Sequence, residues 1–513
     1  MPRAMNTMNT GLGIALLAIL CVPTRAGAEG APEAKDADAF AVKLSGAVSV
    51  WGLTQRGFFL GKDVPLDKAD YVVQNVRLNL TMGTPKVGGV VRADVGQGWW
   101  GVDNSPNVVP TVAADGTVGA GYNADAMFGA KDTNYPVHVD HAYLFFELPW
   151  APGDVQLRLQ VGRQPLAAGN QLVLDGEQDA LLVTAKVSDH LAVDAFWAKV
   201  AEGQNAIKGP RGLLMNDEDE WADADLFGGK VRYAQGDYQA ELFGLFYKDH
   251  IDDYDHLPQG LGYAYSRFQP QVSQAVAVGA TASGKASVAQ GLTWMAEVDY
   301  LFGKDDVDNA DHAGGLLDRN DGTLMGFNAL VKATQALDVG VPFDLTVLAG
   351  LGSGDDDPAG GKGNLNRIQT AGYWPLTNVW EDSVMPDVGG ISPQGLGSPA
   401  SRGYRELENT TAAQLGLGVV PWKPLRLEAS YTFLRATQDV HGFDATGTPT
   451  ADTSKDLGQE IDVNLKLTIL PGLKYLVLFG YFLPGDASAL LINGDTQNTD
   501  AAWEVKQVLM YAF

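Results

Sequence analysis

Side chains that do acid–base or metal chemistry are scarce in this chain: seven histidines and one cysteine among 513 residues. His138, Asp140 and His141 are close in sequence, but on an extended strand His138 and His141 point to opposite faces, which excludes a simple shared metal site. His250 and His256 sit among aspartates, yet no Ser-, His- or Asp-centred motif of recognisable catalytic spacing accompanies them. The expectation is therefore a non-enzyme, with no catalytic residue, no metal centre and no resident cofactor. A second group is purely acidic: Asp217-Glu218-Asp219-Glu220, Asp252-Asp253-Tyr254-Asp255, Asp305-Asp306-Val307-Asp308 and Asp355-Asp356-Asp357. Such oxygen donors could hold Ca²⁺, but none has the spacing of a calcium loop, so solvated acidic loops are the first reading. A third group mixes both signs inside apolar surroundings: Arg77, Arg92, Asp94, Arg158, Arg163, Glu297, Asp299, Arg426, Glu428, Asp462 and Lys466.

The elements that must carry this third group are strands. In Ile461-Asp462-Val463-Asn464-Leu465-Lys466-Leu467-Thr468-Ile469 every odd position is aliphatic and every even one is polar. Val76, Leu78, Leu80 and Met82 alternate with Arg77, Asn79 and Thr81; Val155, Leu157, Leu159 and Val161 alternate with Gln156, Arg158 and Gln160. Leu425, Leu427, Ala429, Tyr431 and Phe433 alternate with Arg426, Glu428, Ser430 and Thr432. Period two over about ten residues is what a strand shows when one face meets lipid and the other water. Looser runs bring the total to about eighteen, starting near residues 43, 71, 89, 137, 155, 178, 190, 226, 238, 273, 291, 324, 342, 411, 425, 458, 473 and 501.

The connections alternate in length. Short turns fall at 83–89, 149–154, 188–190, 235–237, 289–291, 337–341, 421–424 and 471–472; longer segments lie near 97–136, 201–225, 250–272, 303–323, 353–410, 437–457 and 484–500. That sorting is expected of an up-and-down barrel with tight periplasmic turns and free outer loops. The 353–410 segment is long enough to enter the lumen, with Arg367, Arg402 and Arg405 as basic candidates, or to lie outside as a lid. Trp99, Trp100, Phe145, Phe146, Trp150, Trp294, Tyr300, Trp422 and Tyr481 cluster near strand ends, as interfacial girdles would require, although β-propensity alone enriches aromatics in strands. On the last strand Trp503, Val505, Leu509, Tyr511 and Phe513 share one face, and Leu509, Tyr511 and the terminal Phe513 look like the signal by which outer-membrane barrels are recognised for assembly.

At the other end, Arg3, the apolar stretch Leu12 to Val22 and Arg25-Ala26-Gly27-Ala28 read as a secretory signal peptide cleaved after Ala28. Its apolar core is too short to span a bilayer as a helix. Cleavage would remove Cys21, and an exported chain without disulfides finds its stability in a closed sheet that leaves no edge. Net charge is −26 and pI near 4.5, so nothing resembles the basic face of a nucleic-acid binder. A mean hydropathy of −0.07 excludes a polytopic helical membrane protein.

At Asp140-His141-Ala142-Tyr143-Leu144, Val161-Gly162-Arg163-Gln164, Gly169 and Asp175-Gly176-Glu177-Gln178-Asp179 the chain resembles the alginate-export family of outer-membrane porins. The resemblance implies an eighteen-stranded channel with an arginine-lined pore and an anionic sugar polymer as cargo. After Gln164 this chain has Pro165-Leu166-Ala167-Ala168-Gly169-Asn170, where that family tends to have Tyr-Gly before an arginine.

The sequence thus predicts a signal peptide over 1–28, a flexible acidic leader over 29–40, and over 41–513 an all-β transmembrane antiparallel up-and-down barrel of 16–18 strands. The third group of charges becomes the pore-lining set. The expected location is the outer membrane of a Gram-negative bacterium, and the expected function is passive diffusion of small hydrophilic solutes. The alternatives are a dedicated exporter of an anionic polysaccharide and a plugged structural or adhesive barrel. Expected partners are membrane lipid, lipopolysaccharide (bridged by Ca²⁺ if the acidic loops bind it) and the barrel-assembly machinery.

Overall fold

The computed structural model describes residues 39–62, 68–100, 110–112, 118–120, 137–149, 155–170, 172–201, 224–249, 274–286, 291–304, 323–338, 340–354, 362–363, 376–380, 407–444 and 449–513. The expected signal peptide, most of the acidic leader, all four acidic clusters, His250, His256, Trp150, Arg367, Arg402 and Arg405 lie outside the described residues.

Eighteen strands form the wall. In chain order they are β1 (Ala41–Arg56), β2 (Lys68–Gly83), β3 (Val87–Trp99), β4 (Val137–Leu148), β5 (Gln156–Ala168), β6 (Leu174–Lys186), β7 (Leu191–Ala201), β8 (Ala224–Gln235), β9 (Tyr238–Asp249), β10 (Gln274–Lys285), β11 (Leu292–Lys304), β12 (Thr323–Asp338), β13 (Pro342–Gly352), β14 (Thr410–Trp422), β15 (Leu425–Phe443), β16 (Pro449–Leu470), β17 (Leu473–Pro484) and β18 (Ala502–Ala512). Each pairs antiparallel with its sequence neighbour, and β1 pairs with both β2 and β18, so the sheet closes on itself without an edge. The expected architecture and upper strand count are met. Every wall-facing backbone group then finds its partner inside the sheet, which is the condition for crossing hydrocarbon with strands.

Period two decides the faces. On β16, Ile461 and Val463 are each 44% exposed while Glu460 and Asp462 are 0% and 3% exposed. The same split runs round the circumference: Leu78, Leu144, Val161, Leu242, Val298, Val331, Val347, Leu415 and Leu509 are exposed on the outer surface. An apolar band this extensive is untenable in water and fits hydrocarbon. Aromatics flank it at both ends: Phe227, Phe246, Tyr300, Phe302 and Tyr481 toward the long-loop end, and Tyr233, Tyr238, Trp422, Tyr511 and Phe513 toward the short-turn end, all exposed. Phe145, expected among them, instead points inward and is 2% exposed, because it alternates with lipid-facing Leu144.

The short turns close tightly. Gly236, between β8 and β9, and Gly472, between β16 and β17, hold φ of 59° and 79°, a left-handed conformation that glycine adopts without steric cost. At the opposite end the expected loop 437–457 is mostly strand. β15 runs 19 residues and β16 22 residues, beyond the roughly ten needed to cross a bilayer, and project outward as a ribbon. The connection from β17 to β18 carries a short helix, α1 (Asp486–Asn493), ended by Gly494 at φ 81° with its N–H bonded to Leu490 O. Its Ala487, Ala489, Leu490 and Ile492 are buried with Phe58, Phe59 and Leu60 from the β1–β2 connection and with Leu434 and Phe482 from the wall.

Candidate functional site

The inner face of the barrel carries charges in connected groups. On β2 and β3, Arg77 meets Asp94 as a two-pronged pair and also approaches Asp140 on β4 at 3.4 Å. Arg92 reaches Asp140 at 3.2 Å and His141 Nε2 at 3.5 Å. Both Asp140 and His141 face inward because the β3–β4 register shifts between Arg92 and Ala93, a bulge that spends one extra residue on β4. Arg158 on β5 lies over the Phe145 ring with its guanidinium carbon 4.1 Å from the centroid. A second group spans β13 to β16: Arg426 pairs with Asp344 at 2.8 Å and Glu428 at 2.7 Å, and Lys466 pairs with Glu428 at 2.6 Å. A third, on β7 to β9, was not anticipated: Asp194 takes Arg232 at 2.8 Å, and Lys230 lies 3.9 Å from both Asp194 and Glu241. Its signal was present in β7, where Asp194 shares parity with Phe196 and Ala198, all three buried.

Two segments fold into this charged lumen. The first is the end of the β5–β6 hairpin. Pairing of β5 with β4 stops at Arg163 and Ala142, and pairing of β6 with β7 stops at Asp179 and Lys199, whereas β5 and β6 stay paired to Ala168 and Leu174. The hairpin leaves the wall at Gly162, where φ is 121° and any Cβ would strike Ala142 O. Beyond the bend, Leu166, Ala168 and Leu174 pack on Phe196, Leu226, Phe243, Leu245 and Leu301 of the inner wall. The other face brings Glu177 to within 3.8 Å of His141 Nε2 on the adjoining strand β4. Polar contacts seat the tip: Lys230 Nζ donates to Ala167 O at 2.7 Å, Glu241 accepts the Gly169 N–H at 2.9 Å and Glu297 accepts the Asn170 N–H at 2.7 Å.

The second segment is Leu376–Trp380, from the long 353–410 connection, so part of that connection enters the lumen. Val379 and Trp380 are fully buried, and Trp380 stacks on Phe482 with ring centroids 5.0 Å apart. Three successive backbone N–H groups point at wall carboxylates: Asn378 to Asp462 at 3.3 Å, Val379 to Glu460 Oε1 at 2.6 Å and Trp380 to Glu460 Oε2 at 2.8 Å. The Asn378 amide also donates to Asn464 Oδ1 at 3.0 Å, and Gln414 donates to Leu376 O at 2.8 Å.

Of the residues expected to line the pore, Arg77, Arg92, Asp94, Arg158, Arg426, Glu428 and Lys466 all project from the inner face. Glu297, Asp299 and Asp462 also face inward, but at 3%, 1% and 3% exposure they sit beneath the infolded segments. Arg163 is a correction. It shares parity with exposed Val161, lies opposite Ala142 and pairs at 3.7 Å with Asp179 on the outer surface. There it starts a row of registered neighbours, Arg163, Asp179, Lys199, Asp225 and Lys248, that marks the outer edge of the apolar band. Leu509, Tyr511 and Phe513 are exposed on the outer face, Tyr511 and Phe513 with ring centroids 6.1 Å apart.

These features define a class: a closed eighteen-stranded β-barrel with an apolar exterior, a charged interior and two infolded segments. No family model and no curated protein matches the chain, so the resemblance to the alginate-export family finds no support. The Gly162-Arg163-Gln164 stretch that suggested it here serves the hairpin bend. Among solved structures the chain is similar to OccAB1 of Acinetobacter baumannii, with a TM-score of 0.49 at 12% identity over 94% of this chain and 98% of that one. It is also similar to OpdK of Pseudomonas aeruginosa with vanillate (TM-score 0.44, 12% identity, 92% and 98% covered) and to OccK11 (OpdR) of the same organism (TM-score 0.44, 10% identity, 92% and 96% covered).

Proposed function

We propose that this chain is an outer-membrane porin of a Gram-negative bacterium, passing small hydrophilic solutes by passive diffusion through its lumen. One observation carries the reading: a single closed sheet sorts its side chains into an apolar outer band and an inner face of paired charges. The outer band requires hydrocarbon around it, and the charged interior requires water within it. A barrel so lined needs no energy source, because solute exchanges its hydration for lumen polar groups and leaves again. In the same reading the 1–28 segment directs export, the outward Leu509, Tyr511 and Phe513 present the strand to the assembly machinery, and the rim row from Arg163 to Lys248 meets the lipopolysaccharide headgroups. The test is swelling of liposomes carrying the refolded protein, with uncharged sugars of increasing size. Swelling that falls off with solute size supports the porin. Liposomes that stay as tight as protein-free ones, while the barrel is folded, would overturn it.

A further inference from the structure

We propose that Glu460 and Glu297 are positioning residues for permeation: each seats one infolded segment on the lumen wall, and together they set the bore. The proposal rests on the lumen being the conduit. The two sites are built alike. Glu297-Val298-Asp299 on β11 and Glu460-Ile461-Asp462 on β16 each place two carboxylates, spaced by one residue, on the inner face. All four are almost inaccessible, at 3%, 1%, 0% and 3% exposure. Among the described residues, no lysine or arginine forms an ion pair with any of them. A buried carboxylate without a cation must find N–H donors, since desolvation is otherwise uncompensated.

Those donors come from the infolded chain. Glu460 takes the N–H groups of Val379 and Trp380, one on each oxygen, and Asp462 takes that of Asn378. Consecutive backbone N–H groups converging on an anion form a concave donor site, here filled by the barrel's own side chain. On the other side Glu297 takes the Asn170 N–H, beside the Gly169 N–H held by Glu241. On β16 the carboxylates and the segment therefore complete one another, and on β11 Glu297 Oε2 holds the tip through Asn170 while Glu297 Oε1 and both Asp299 oxygens accept no hydrogen bond among the described residues. Without the segment the carboxylates return to lumen water, and without the carboxylate the segment has successive N–H groups and no acceptor. Apolar contacts at Trp380 and Leu172 hold the segments to the inner surface, and the carboxylates, with Lys230 on Ala167 O and Gln414 on Leu376 O, specify where along it.

The experiment is single-channel conductance of the refolded protein in planar bilayers, with folding checked by heat-modifiable gel migration. Glu460→Ala and Glu297→Ala each widen the lumen, and conductance rises roughly twofold. Glu460→Gln keeps one acceptor oxygen but turns an amide NH2 toward the other backbone N–H, so its conductance lies between wild type and Glu460→Ala, and it serves if Glu460→Ala does not fold. The control that separates position from general destabilisation is a reversible tether. A Cβ at position 480 would lie 3.0 Å from Asn378 Cβ and 2.5 Å from Val379 Cγ2, so Asn378→Cys with Gly480→Cys can form a disulfide once the Val379 side chain turns aside, and the same pair in the otherwise wild-type chain is the reference for it. In the Glu460→Ala background, oxidation of this pair returns conductance to the wild-type value and reduction restores the wide state. Wild-type conductance in folded Glu460→Ala, or a wide state that oxidation leaves unchanged, overturns the proposal. If no form conducts, the porin reading fails, and the crosslinking yield still decides the latch. A yield that falls on Glu460→Ala supports it, and equal yields refute it.

Discussion

Arg77 and Asp94 face each other across β2 and β3 as a planar fork, Nε to Oδ1 and Nη2 to Oδ2, both at 2.6 Å. With their side chains only 16% and 6% exposed, the pair is shielded from the solvent that weakens surface ion pairs. Removing one partner strands the other. Arg77→Ala leaves Asp94 and Asp140 facing each other with Arg92 as their remaining cation, and destabilisation of about 3 kcal/mol is expected. Urea unfolding in lipid vesicles measures it. Adding Asp94→Ala should recover part of the loss, so strictly additive effects in the double-mutant cycle would rule out the coupling.

Adjacent residues on β13 test the assignment of faces. Val347 is 52% exposed on the outer surface, whereas Thr346 points inward and shares a hydrogen bond of 2.9 Å with Thr334. Val347→Arg should cost about 2–4 kcal/mol in a bilayer, the penalty for a cation on the lipid face near the midplane. Thr346→Arg should cost far less, since its charge enters the lumen. Equal penalties in the same unfolding measurement would contradict the outward band.

Arg163 and Arg158 separate exterior from interior. Arg158→Ala removes a charge beside Phe145 in the lumen and should move the reversal potential toward cation preference. Arg163→Ala removes a charge from the outer rim and should leave the reversal potential where it was. A shift of equal size in both variants would return Arg163 to the pore.

Gly169 is required twice over. Its φ of 70° is left-handed, and a Cβ there would collide with the Glu297 carboxylate. Gly169→Ala should cost about 1–3 kcal/mol and lift the hairpin tip from Glu241 and Glu297, without unfolding the barrel. The expected readout is normal heat-modifiable migration with raised conductance. Unchanged conductance would mean that the tip does not narrow the lumen.

Strand existence was readable because a wall strand has one face in lipid and one in water, and that alone imposes period two. Seventeen of the eighteen strands begin within a few residues of the positions read from alternation, and β16 begins at Pro449 rather than near 458. The error at 437–457 has the same cause in reverse. In the extension of β15 and β16 the register shifts between Leu434 and Arg435, between Arg435 and Val440 and between His441 and Phe443, so alternation fades although Val440 and Leu457 are buried, and Gly442, Gly447 and Pro449 look like a loop. Parity also assigned the inward charges, and by the same parity Arg163 falls outside with Val161. The bend at Gly162, the bulge that turns Asp140 and His141 inward together, and helix α1 have no periodic signature. They depend on partners distant in the chain, as does the cover that Val379 places over Glu460, 81 residues away.

The central claim is that this barrel is a water-filled conduit, and the most direct measurement is single-channel current from the refolded wild-type protein in a planar bilayer. The account predicts discrete, ohmic steps whose reversal potential under a salt gradient responds to Arg158→Ala and Arg426→Ala. A folded, heat-modifiable barrel that inserts and carries no current would contradict it.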